Sequence, residues 1–207
     1  MNKTFKLTSI AMLTALSIVA NLFTIPLSGT NSISFTVAIC FFTGIYFGIL
    51  PAAIVGFMGD LIAHFIYPHG DYNVFIAIST TLLGVICALI YKIKLPKLVN
   101  LIIATVICYI VCLCGLNTFG LWLQNSVKMG FIDFISMDKS LIEKSFWVYL
   151  AGRAPWSAIN VAVNALIVAL LQQSGVIDKL MAKVLSKQKT ATDEQTQTTE
   201  DDDTQKQ

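Results

Sequence analysis

The sequence is short of charge. Only 13% of its 207 residues are Asp, Glu, Lys or Arg, against roughly a quarter in soluble domains. That excludes an ordinary solvated surface and leaves no basic face for nucleic acid. Arginine is scarcest of all: Arg153 stands alone, every other basic residue being lysine. No GxxxxGK[ST] phosphate loop is present, so the chain has no means of hydrolysing ATP itself. It also lacks an HExxH metal motif, a paired carboxylate, or a nucleophile beside a base, and is not read as an enzyme. Nor do its two halves resemble each other, as the repeats of many ion-coupled carriers do. The five cysteines (Cys40, Cys87, Cys108, Cys112, Cys114) are odd in number and lie within apolar segments. This argues against a disulfide framework. Cys108 and Cys112 share a helix face, but no second Cys or His pair accompanies them, so they read as small apolar filling. No metal or cofactor is expected.

What is abundant is apolar: 56% of residues, with a mean hydropathy of +0.73. The charges cluster, and the runs between them approach the ~20 residues that span a bilayer. The expectation is an all-α membrane protein with six transmembrane helices, at about 5–26, 33–50, 52–67, 73–91, 98–123 and 147–172. The second and third runs are nearly continuous, split around Pro51. The first run is longer than the ~7–15-residue core of a signal peptide and no clear cleavage site follows, so it reads as a retained helix. Residues 1–175 form the membrane domain. Residues 176–189 have helical apolar spacing (Ile177, Leu180, Met181, Val184, Leu185), which suits a helix lying along the cytoplasmic surface. The tail from 190 to 207 has six acidic residues and almost no apolar ones. Such a tail buries too little surface to offset ordering, and is expected to be disordered.

Lysine clusters precede the first run, separate the fourth from the fifth, and follow the sixth. An even number of spans puts all three on one side. The positive-inside rule makes that side cytoplasmic, with both termini there, in a multi-pass plasma membrane protein.

Ionisable residues inside a span are costly and carry a functional hypothesis by default. Asp60 and His64, four residues apart, share a face of the third run. Tyr67 and Tyr72 follow towards the outside. In the sixth run Arg153, Ser157, Asn160 and Asn164 recur at i, i+4, i+7 and i+11, forming one polar stripe, and Trp156 lies beside it. The fifth contributes Asn117 and Gln124. All belong to the outer halves of their helices, which suits a pocket open to the outside rather than a through-pore. Less specific readings stand beside these: Arg153 as an interfacial anchor, Asp60 as an interhelical partner, and Asn160 and Asn164 as interhelical glue. Two small-residue steps, Ala11/Ala15 and Gly44/Gly48, suit close helix contacts, within the chain or with another subunit.

The stretches TALSIVAN, YFGILPAAIVGFMGDLIAHFIYPHGDY and GRAPWSAINVAVNALI together resemble the substrate-binding (S) components of energy-coupling factor (ECF) vitamin transporters, particularly the folate family. The most specific piece is GFMGDLI before the PHGDY turn. The resemblance runs from about residue 5 to 175. It implies a six-helix protein that captures a vitamin with high affinity from outside. It also implies partnership with a transmembrane coupling (T) protein and two ABC ATPase subunits, with Ala11 and Ala15 matching the coupling-protein motif. A pterin suits Asp60 by its adjacent 2-amino and N3–H donors. A glutamyl carboxylate suits Arg153, and a ring suits Tyr72 or Trp156. The substrate-binding set is then Asp60, His64, Tyr67, Tyr72, Asn117, Gln124, Arg153, Trp156, Ser157 and Asn160. The segment NSISFTVAICFF departs from the family in carrying no arginine. The vitamin therefore stays open between folate and a queuosine precursor, thiamin, riboflavin or pantothenate. A stand-alone ion-coupled carrier is the remaining alternative.

Overall fold

A computed structural model describes residues 3–28, 31–67, 72–124 and 145–175, together with the isolated positions 179 and 182. The proposed surface helix, the acidic tail, His69 and Asp71, and the residues 125–144 of the long loop lie outside the described residues, apart from those two positions.

The fold is a bundle of six helical rods. They are α1 (Lys3–Leu22), α2 (Thr36–Phe47), α3 (Ile49–Ile66), α4 (Val74–Ile90), a composite fifth rod, and α7 (Phe146–Gln173). The fifth rod runs through α5 (Lys97–Cys108), a π-helical segment (Tyr109–Asn117) and α6 (Thr118–Trp122). Four rods are long and apolar enough to cross a membrane: α1, α3, the composite and α7. At 1.5 Å per residue, the 12-residue α2 is about 18 Å long.

Two boundaries differ from the sequence expectation. The first helix stops at Leu22 rather than near residue 26. Ile25–Ser28 (β1) then pairs antiparallel with Asn31–Ile33 (β2), in a register of Ile25 with Ile33 and Pro26 with Ser32. The second and third helices separate at Gly48, not around Pro51. Gly48 has φ +90°, a conformation that side-chain-bearing residues rarely adopt. Pro51 sits in the first turn of α3, where its missing N–H leaves no helical bond unmade. Gly48 is thus a corner and not half of a packing step: among the described residues, nothing would lie within 4 Å of a Cβ there.

Helix α4 occupies the centre, touching α2, α3, α5, the π segment and α6. Small residues make this possible. A Cβ on Gly84 would stand 2.9 Å from Ala52 Cβ and 3.0 Å from the Cys40 carbonyl; one on Gly56 would stand 2.8 Å from the Thr80 carbonyl. Without a hydrophobic drive between helices in lipid, close backbone approach is a main source of association. Phe41, Cys40, Cys87, Cys108 and Cys112 fill the centre and are wholly buried, and the four cysteines are free thiols. Leu7, Phe65, Trp147, Leu166 and many other large apolar side chains face outward, as lipid contact requires.

Candidate functional site

The antiparallel path brings the ends of α1, α3 and α6 to one end of the bundle, with the starts of α2, α4 and α7. The lysines between α4 and α5 lie at the opposite end. At the first end is a partly open cavity of about 200 Å³. Its lining comes from α1 (Asn21, Leu22), α3 (Asp60, Ala63, His64), the α3–α4 connection (Tyr67, Tyr72, Asn73), α4 (Ile76) and the α6 end (Leu121, Gln124).

Its polar groups are held by one another. Asn21 Nδ2 donates to Asp60 Oδ1 at 3.3 Å, joining α1 to α3. The His64 ring meets the Tyr72 ring edge-on, with centroids 5.1 Å apart. Asn73 has two roles. Its Oδ1 accepts from the Phe75 N–H at 3.1 Å, capping the start of α4, and its Nδ2 donates to Gln124 Oε1 at 3.3 Å. Gly120 lets α6 approach closely enough for this, since a Cβ there would stand 2.7 Å from Asn73 Oδ1. The Tyr72 hydroxyl is buried and has no hydrogen-bond partner among the described residues. Burial, reinforced by the nearby Asp60 carboxylate, raises the Tyr72 phenol above its ordinary value, so it stays a neutral O–H at physiological pH. The cavity thus offers a carboxylate, two phenols, an imidazole and three side-chain amides. Its walls are Leu22, Ala63, Ile76 and Leu121. No lysine or arginine lines it among the described residues.

Of the residues singled out in the sequence, Asp60, His64, Tyr67, Tyr72 and Gln124 come together here. Asn117, Arg153, Trp156, Ser157 and Asn160 are not in the lining. Asn117 closes the π segment, its Oδ1 buried and without a partner among the described residues. Arg153 is buried in α7, its guanidinium carbon 5.9 Å from the centre of the Tyr149 ring. Ser157 is buried on the same helix, and Trp156 is partly exposed. Asn160 and Asn164 bind backbone at the start of α2. Asn160 Oδ1 accepts from the Ser34 N–H at 3.2 Å, and Asn164 Oδ1 accepts from the Ala38 N–H at 3.1 Å. Asn164 Nδ2 also donates to the Ser34 carbonyl at 2.9 Å. Sequence reading passed over Asn21 and Asn73. Asn21 lies one turn beyond Ser17, and both are polar positions on one face of an apolar run; that spacing was the available signal.

On α1, Ala11 and Ala15 are exposed, flanked by exposed Leu7, Met12 and Leu16. The opposite face is held close by small residues: Ser17 is wholly buried, and a Cβ on Gly59 of α3 would overlap it.

A family model described as "ECF transporter, substrate-specific component" matches residues 5–172. Two solved structures share the fold. One is described as the S component of a bacterial ECF transporter. It aligns with a TM-score of 0.60 at 21% identity, covering 84% of this chain and 96% of that one. The other, FolT bound with folic acid, aligns with a TM-score of 0.61 at 20% identity, covering 81% and 92%. No curated protein matches the chain significantly.

Proposed function

Given that the chain belongs to the family of ECF transporter substrate-specific components, we propose that it captures a vitamin, folate first, in the cavity at Asp60. The carrying observation is the cavity itself: a cluster of polar side chains, one of them a carboxylate, at one end of an otherwise apolar bundle. Such groups are expensive in a membrane and are retained where they meet a ligand or each other. Among the described residues, Asp60 makes one hydrogen bond and the Tyr72 hydroxyl none.

The pterin end of folate suits this lining. Its 2-amino group and N3–H form two adjacent donors for Asp60, and its ring lies between the His64–Tyr72 pair and the apolar wall. We further propose that this end faces the outside of a prokaryotic plasma membrane, with the lysine-bearing end cytoplasmic under the positive-inside rule. Transport then needs partners: a transmembrane coupling protein, for which exposed Ala11 and Ala15 offer a small-residue face, and two ABC ATPases that supply the energy.

A second substrate reading follows from one observation. No cation lines the cavity among the described residues, so a non-acidic aminopyrimidine such as thiamin is the alternative to folate.

The test is calorimetry on the purified chain with folic acid and thiamin. Asp60→Asn is expected to weaken binding of the preferred vitamin by about 10- to 100-fold, the scale of a charge-assisted hydrogen bond. Unchanged affinity in that variant removes the ligand from this cavity. Binding of thiamin but not folic acid transfers the substrate to the second reading.

A further inference from the structure

Asn21 is the one polar residue that α1 contributes to the cavity, and its hydrogen bond to Asp60 is the only one that Asp60 makes among the described residues. A carboxylate is acceptor-only, with about four lone-pair sites on two oxygens, so the side of the Asn21 amide that faces it must be the N–H₂. One site on Oδ1 is thereby filled, and rotation of the carboxylate about χ2, which is ordinarily broad, is restrained. The remaining sites stay directed at the cavity. Asn21 itself is fixed from below, because one turn earlier Ser17 is seated against Gly59 of the helix that carries Asp60. The two helices therefore meet in a fixed register at the point where the amide reaches the acid.

We infer that Asn21 is a positioning residue for the ligand: it holds the Asp60 carboxylate so that two adjacent N–H donors on a heterocycle are accepted together. The inference rests on the Asp60 cavity being the ligand site. It adds a residue and a preference to that reading: a ligand edge with two neighbouring donors is favoured over the same ring with one. Without Asn21 the carboxylate turns to other orientations, the second bond is lost, and the site distinguishes the two rings poorly.

The discriminating measurement is the ratio of affinities for folic acid and its 2-desamino analogue, which lacks one of the two donors. It is made on the full chain in detergent, alongside the melting temperature. Asn21→Leu keeps the volume but removes the donor. It is expected to lower folic acid affinity about tenfold and to bring the ratio near one, with melting within a few degrees. Asn21→Gln, which retains an amide N–H₂, is expected to restore most of the ratio. If the leucine variant does not fold, Asn21→Ser, too short to reach Asp60, makes the same comparison. Adding Asp60→Asn to Asn21→Leu is expected to cost no more than Asp60→Asn alone, because both act through one group. A wild-type ratio in the Leu or Ser variant, with Asp60→Asn still weak, overturns the role of Asn21 and leaves the cavity assignment standing. Full affinity in Asp60→Asn overturns the cavity assignment itself. Absence of folic acid binding to the unmodified chain overturns both the folate reading and this inference.

Discussion

Arg153 poses the sharpest question at the scale of single residues. Its position in the sequence, atop a polar stripe on the last helix, suggests a grip on a ligand carboxylate. In the fold it is 9% exposed, beside the Tyr149 ring and off the cavity lining. Arginine differs from lysine by its planar, weakly hydrated head, which stacks on aromatic faces. Arg153→Lys is therefore expected to lower the melting temperature by several degrees while folic acid affinity stays within about threefold; the stacking at stake is worth roughly 0.5–2 kcal/mol. Thermal unfolding and calorimetry on the same preparation check this. A tenfold loss of affinity at unchanged melting would return the guanidinium to the ligand. Asp60 and His64 were legible because a period of four on an apolar helix is visible in letters alone. Asn160 and Asn164 were visible too, but not their partners. Those are the main-chain groups of Ser34 and Ala38, and a backbone N–H carries no letter of its own.

The helices show the same division. Six apolar runs separated by lysine clusters and loops were enough to give the rods, since hydropathy measures what lipid requires. Their local geometry was not legible. The hairpin of four and three residues is too short for alternation to register. The π-helical segment has the same apolar letters as an α-helix, because hydropathy does not distinguish a bond to the fourth residue from one to the fifth. Two of its carbonyls also accept from side chains: Ser79 Oγ donates to the Cys112 carbonyl at 2.9 Å, and Thr118 Oγ1 to that of Leu113 at 2.7 Å. π segments are frequent at functional sites, and this one leads directly into α6, which carries Leu121 to the cavity. Glycine separates tight from loose packing at this scale. Gly84→Ala places a methyl against Ala52 and the Cys40 carbonyl and is expected to destabilise by about 1–3 kcal/mol, as overpacking does. Gly152→Ala, with nothing among the described residues within 4 Å of the added methyl, is expected to be neutral or slightly stabilising. Urea or thermal unfolding of the two side by side checks the contrast, and equal loss in both would refute close packing at Gly84.

For the whole molecule, the orientation proposed from lysine placement has a direct test. Tyr67, at the cavity end, and Leu95, between α4 and α5, are both exposed. Tyr67→Cys is expected to react with a membrane-impermeant maleimide in intact cells. Leu95→Cys is expected to react only after permeabilisation, and the reverse pattern would invert the topology. The Asn164 contacts bear on how the molecule is made. The start of α2 is bound by a side chain 126 residues further along the chain. During synthesis, five rods leave the ribosome before the residue that closes the second one exists. Until then, the Ser34 carbonyl and neighbouring backbone groups lack the Asn164 contacts at an end of a helix too short to hide them. The last helix thus completes the bonding at the entrance of the second, so the start of α2 is closed only once α7 is in place.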